Sequence, residues 1–147
     1  MISSRELLSM PVYTPSRRLL GQVADVAFEP RDGILRGLLI EKNGWLARKA
    51  FIPADCLLKL ERSGVLARDV DYGRAPAGLC LLSAAPWRHR VWPPSGDTIA
   101  ELLLDRQRIV GAELSAGLLA DLRYGRNFID WQDLQVGGDV WRVPDLQ

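Results

Sequence analysis

The chain has 147 residues, 48% of them hydrophobic, and its 19 basic and 18 acidic side chains give a formal net charge of +1. That length supports one ordinary domain or two very small ones, with enough buried surface to fold without a metal or disulfide staple. The charge balance excludes the overall electrostatic footprint of a general nucleic-acid binder and leaves only a local patch for that role.

In chain order, Ser3 and Glu6 have capping-box spacing, so a short helical turn through Glu6-Leu7-Leu8 is predicted first. Pro11 then opens a strand at Val12-Tyr13, and Leu20 to Phe28 forms a longer one. Glu29-Pro30-Arg31-Asp32-Gly33 is a turn with Asp-Gly chemistry, and Ile34 to Glu41 is the returning strand. Lys42-Asn43-Gly44 supplies the next turn, after which Ala50-Phe51-Ile52 and Leu57 to Leu66 complete a set of short strands spaced as in a small barrel. Residues 69–86 carry Gly73, Pro76, Gly78 and Pro86 and form the boundary, with Leu79-Cys80-Leu81-Leu82 packing as an edge strand. Beyond it, Leu118, Leu119 and Leu122 have helical spacing, with Ser115 as the expected cap and Gly125 as the stop. Val136 to Val140 is a hairpin turn around Gly137-Gly138. An alternative reading makes residues 97–123 two helices of a mixed α+β domain.

The two halves echo one another. Val12-Tyr13-Thr14-Pro15-Ser16 returns as Val91-Trp92-Pro93-Pro94-Ser95, an offset of 79, and Leu20-Gly21-Gln22-Val23 is echoed by Ile99-Ala100-Glu101-Leu102 at the same offset. Leu35-Arg36-Gly37-Leu38 faces Ile109-Val110-Gly111-Ala112 at an offset of 74, and Phe51-Ile52 faces Phe128-Ile129 at 77. Four matches in one order point to a duplication. The run Glu6 to Tyr13, then Leu20-Gly21-Gln22-Val23-Ala24-Asp25-Val26, Glu29-Pro30, Gly33 and Gly37-Leu38, resembles a PRC-barrel domain. That module occurs in the cytoplasmic part of the photosynthetic reaction centre H subunit and is related to the C-terminal domain of the ribosome maturation factor RimM. Gly111, Ser115, Gly117, Asp121-Leu122 and Gly125-Arg126 resemble a divergent second copy. The resemblance implies a mainly β fold: two tandem small β-barrels with short helical turns, over residues 1–70 and 78–147. It implies work by contact with other macromolecules and brings no catalytic residues.

Chemistry-bearing residues are sparse. Cys56, Cys80 and His89, the only cysteines and histidine, are too scattered for a structural zinc site, and the leucine-flanked thiols read as buried free cysteines of a reducing compartment. His89 has no nucleophile at a useful spacing, and Asp69/Asp71 and Asp130/Asp133 read as solvated loop carboxylates. No enzymatic activity, metal or cofactor is therefore expected. The sharpest local signal is Trp87-Arg88-His89-Arg90-Val91-Trp92, since Trp and Arg dominate interface energetics. Trp45 beside the Asn43-Gly44 turn is a second interaction candidate, Arg17-Arg18 reads as solvated, and Trp131 and Trp141 are expected to fill the second barrel. The N-terminus lacks a signal-peptide layout, and the most apolar stretch, residues 77–85, is under half a bilayer span. The expectation is a cytoplasmic adaptor without membrane insertion that binds a protein partner and also pairs with itself. The rival is an RNA- or ribosome-associated factor.

Overall fold

The computed structural model describes residues 1–29, 31–42, 49–82, 91–92, 97–115, 117–125, 127–131, 135–137 and 140–142. The chain is mainly β. Strands β1 (Ile2–Ser3), β2 (Pro11–Tyr13), β3 (Leu19–Phe28), β4 (Leu35–Glu41), β5 (Lys49–Pro53), β6 (Leu57–Glu61) and β7 (Gly64–Ala67) lie in the first half. Next come β8 (Cys80–Leu81), β9 (Val91–Trp92), β10 (Asp97–Asp105), β11 (Arg108–Ser115), β12 (Asn127–Asp130), β13 (Gln135–Gly137) and β14 (Val140–Arg142). Two short helices interrupt them, α1 (Ser4–Leu7) and α2 (Leu118–Tyr124). Residues 97–105 and 108–115 are strands, which overturns the mixed α+β alternative. Among the described residues no helix is long and apolar enough to cross a membrane.

Local chemistry accounts for the boundaries. Ser3 caps α1, its hydroxyl accepting the Glu6 N–H at 3.1 Å. The turn after β3 closes as predicted: Gly33 N–H donates to Glu29 at 2.8 Å and Ile34 N–H to the Asp32 carboxylate at 3.0 Å. Helix α2 starts later than Ser115 suggested. Ser115 ends β11, and Gly117 is the cap, its carbonyl taking the Asp121 N–H, because Ser115 is held in the ladder opposite Thr98. Gly125 ends it as expected, with φ of 75°. Arg18 is not simply solvated either: it pairs with Asp69 at 2.5 Å.

The sheets run β5-β4-β3-β2-β7-β6, with β8 added beside β3, and β1-β10-β11-β12, with β9 added beside β10, while β13 and β14 form a hairpin. No ladder among the described residues closes either large sheet into a ring. The β3–β4–β5 and β10–β11–β12 ladders share one register. Val26 faces Leu38 and Leu38 faces Ile52; Leu102 faces Ala112 and Ala112 faces Ile129. Even the bulges correspond, between Val23 and Asp25 and between Ile99 and Glu101, then between Ala27 and Phe28 and between Leu103 and Leu104. This sets the β3 to β10 offset at 76, Val23 matching Ile99, rather than the 79 suggested by the words Leu20–Val23.

The halves also interlock. β1 pairs with β10 (Ile2 opposite Leu104), while β8, the start of the second half, pairs with β3 (Cys80 opposite Phe28). Leu104 and Phe28 are equivalent positions, so each half places its first strand in the other's sheet. At the junction, Ile34 bridges Arg108. Leu35 N–H donates to Gln107 at 2.9 Å and Ile109 N–H to Gly33 at 2.8 Å. With the offset of 74 between β4 and β11, those two bonds exchange with each other, as across a two-fold axis. One apolar core spans both halves, from Leu7, Val12, Phe28 and Leu38 to Leu102, Leu104 and Ile109. Trp131 belongs to that shared core rather than to a second barrel alone: its ring meets Phe28 edge-on, centroids 5.9 Å apart.

Candidate interaction face

Among the described residues, the most exposed large hydrophobic side chains lie on α2. Gly117 and Gly125 at its ends confine it to seven residues, so Leu118, Leu119 and Leu122 fall on one side. That side points outward: the three leucines are 77%, 83% and 77% exposed. Phe128 on β12, the next strand in the chain, is also 50% exposed. Burying each leucine against a partner would contribute about 1.5–3 kcal/mol. A cluster of this size on the surface marks a contact site more readily than scattered single residues do.

A second surface has the opposite character. A groove of about 710 Å³ is lined by Lys42, Lys49 and Arg74 over a floor of Leu39, Ala50 and Tyr72. No ion pair holds these three cations among the described residues. The Tyr72 hydroxyl donates to the Arg68 carbonyl at 2.6 Å. Burial, with the neighbouring Cys56 adding, pushes its phenol up to about 12. A third hollow, about 450 Å³, opens at the junction of the halves between Arg31, Asp32, Arg108 and Asp130, over Trp131. Its charges alternate in sign and select no single ionic ligand.

No three His, Cys, Asp or Glu residues converge on a metal-sized site among the described residues. Cys56 and Cys80 are free and half-buried, less enclosed than their leucine neighbours suggested. Burial, then Glu29 and Asp25, raises the Cys80 thiol above its ordinary value. Trp45, Trp87, Arg88, His89 and Arg90 lie outside the described residues. Trp92 is described as backbone only, in β9 opposite Asp97. The α2 leucines were visible as a helical stripe, but spacing alone assigned them no surface role.

Residues 1–73 match the family model of the PRC-barrel domain. This part of the chain belongs to the PRC-barrel family. The matched stretch runs from β1 through β7 to Gly73, whose carbonyl accepts the Phe51 N–H at 2.9 Å. No curated protein matches the chain. The PRC-barrel glycines answer to packing. A Cβ on Gly37 would meet the Phe51 ring at 2.6 Å, and one on Gly33 would meet the Ile109 carbonyl oxygen at 2.6 Å. At Gly33 and Gly37 the family motif thus specifies close backbone approach.

Proposed function

We propose that the chain is a non-enzymatic adaptor built from two PRC-type repeats, binding another protein through the surface of its second repeat. The observation that carries this reading is the outward leucine face of α2. The common register, the matching bulges and the reciprocal exchange of β1 and β8 support the tandem origin of the repeats. The free thiols Cys56 and Cys80 suit a reducing, cytoplasmic setting.

Affinity capture from the native cell with mass spectrometry tests this. The double variant Leu118→Ser/Leu122→Ser should cost at least about tenfold in partner affinity per leucine, because 1.4 kcal/mol is a factor of ten. Unchanged recovery of every protein would refute the assignment. One observation favours the RNA- or ribosome-associated alternative, the groove of Lys42, Lys49 and Arg74. Phosphate contacts there would make binding fall steeply with salt, whereas a leucine-centred protein contact would be far less sensitive. Stoichiometric, salt-sensitive RNA lost on Lys42→Glu/Lys49→Glu, with no protein partner, would establish the alternative.

A further inference from the structure

The basic side chains of the first half include two contrasting sets. Arg18, Arg36 and Arg62 each meet a carboxylate, that of Asp69, Glu29 and Glu6 respectively. Lys42, Lys49 and Arg74 meet none among the described residues, and all three line the groove of about 710 Å³. Topology brings them together. Lys42 follows the end of β4 and Lys49 opens β5, its hydrogen-bonded neighbour. Arg74 arrives on the segment that returns past β5, anchored where the Gly73 carbonyl accepts the Phe51 N–H at 2.9 Å. That segment goes on to pack Leu79 and Leu81 against Ala27, Leu39 and Phe51, so the chain itself covers this outer face. Glu41, opposite Lys49 on the ladder, and Asp71 are the nearest acids in sequence, and neither lines the groove. Like charges gathered in this way repel one another, and an anion among them offsets that repulsion. The floor has a different chemistry. Leu39 and Ala50 are buried, and Tyr72 packs against the shared core with its hydroxyl already committed to the Arg68 carbonyl at 2.6 Å.

We infer that this groove binds a small soluble phosphate monoester with an aromatic or apolar body. The site is separate from α2 and goes beyond the adaptor reading. A phosphate monoester carries about −1.5 to −2 charges at pH 7 and three strong acceptor oxygens, which suits three converging cations. The volume falls within the roughly 300–1,000 Å³ of small-molecule sites, more than a bare inorganic ion needs. The remaining space lies over Leu39, Ala50 and Tyr72, where an organic body finds an apolar and aromatic surface. An uncharged aromatic compound would leave the cations unanswered, and inorganic phosphate would leave the floor uncovered. An RNA strand fits less well. It needs cations that track along a backbone over about 4–16 nucleotides, whereas these three converge on one hollow.

Phenyl phosphate is the probe, titrated into isotope-labelled full-length protein and followed by NMR. The expected result is saturable shifts at Leu39, Lys42, Lys49, Ala50 and residues 72–75, with inorganic phosphate and phenol each weaker by about tenfold or more. Lys49→Ala and Arg74→Ala should each weaken phenyl phosphate by about tenfold, because each removes a charge-assisted hydrogen bond. Lys49→Arg keeps the charge and should stay within about threefold of the wild type. Circular dichroism of these exposed-site variants shows that the fold is kept. Leu118→Ser/Leu122→Ser should leave the affinity unchanged, so failure of this site and failure of the adaptor reading are separate results. Any of four outcomes overturns the inference. The first is no saturable shift at millimolar phenyl phosphate, and the second is inorganic phosphate binding equally well. The third is a 5′-hydroxyl oligoribonucleotide that displaces phenyl phosphate and binds more tightly, which would assign the groove to RNA. The fourth is retention on vesicles of phosphatidylcholine with phosphatidic acid while the soluble ester does not bind, which would assign it to a lipid headgroup.

Discussion

Gly33 sits where the two halves meet, and replacing it measures how rigid that junction is. Its φ is 74°, in the left-handed region, where a side chain costs about 1–2 kcal/mol. A Cβ there would lie 2.6 Å from the Ile109 carbonyl oxygen and 3.1 Å from the Trp131 ring. The backbone cannot easily withdraw, because the Gly33 carbonyl accepts the Ile109 N–H at 2.8 Å. Overpacking adds about 1–3 kcal/mol, so Gly33→Ala should destabilise by about 2–5 kcal/mol. Gly78 provides the control: its φ is 82°, but nothing lies within 4 Å of its would-be Cβ. Gly78→Ala should therefore cost only the conformational part, about 1–2 kcal/mol. Both changes stiffen the unfolded chain similarly, so that contribution cancels in the comparison. Urea unfolding at constant m should place the Gly33→Ala midpoint clearly below that of Gly78→Ala. In thermal scans the Gly33→Ala loss corresponds to roughly 4–20 °C, at about 2–4 °C per kcal/mol for a chain of this size. Equal losses for the two variants would refute the reasoning, since they would mean that the junction yields to an added methyl group.

Trp131→Ala should cost about 3–5 kcal/mol, and because its partner Phe28 lies in the other half, the wild type should unfold in one cooperative transition by circular dichroism and by tryptophan fluorescence. Ser4→Ala removes the hydroxyl that accepts the buried Leu102 N–H at 3.1 Å, and a loss of about 1–3 kcal/mol in urea titration is expected. Tyr72, with its phenol raised to about 12, contributes stability that is fully present below the ordinary value near 10 and is lost as pH rises towards 12. Phenolate absorbance should show one late-titrating tyrosine that disappears in Tyr72→Phe. Leu118→Ser/Leu122→Ser should leave the thermal midpoint almost unchanged, because exposed leucines at 77% contribute little to the fold.

Much of the fold was legible in the residues. Ser3 and Glu6 announced α1, the Asp32-Gly33 turn placed β3 against β4, and Leu79 to Leu82 signalled the strand that became β8. The echo between halves was also legible, but its offset for β3 was misjudged. Leu20-Gly21-Gln22-Val23 matches Ile99 to Leu102 in apolar outline only, whereas Val23-Ala24-Asp25-Val26 also matches its alanine and its acid. The exchange of β1 and β8 was out of reach, since a two-residue strand has no periodicity to read. The α2 stripe shows the other limit. Spacing says that Leu118, Leu119 and Leu122 share a face, and only tertiary packing decides whether that face is covered. Trp131 was legible as buried, but the half it would bury against was not.

The register argues for a division of labour between equivalent places. Lys42 and Lys49 flank the connection from β4 to β5, and α2 occupies the matching connection from β11 to β12. One connection is bordered by cations beside an outer face that the chain itself covers. The other carries the exposed leucines of α2. If the two halves arose by duplication, their surfaces have diverged at the same structural position while the ladders beneath kept rung and bulge alike. Reciprocal strand exchange explains why such divergence is tolerated. The shared core through Phe28, Leu104 and Trp131 holds both halves together whatever the connections carry, so surface chemistry can change without loss of the scaffold. The same interlock would favour the proposed binding, because a face fixed by a common core would lose less conformational freedom if a partner docked.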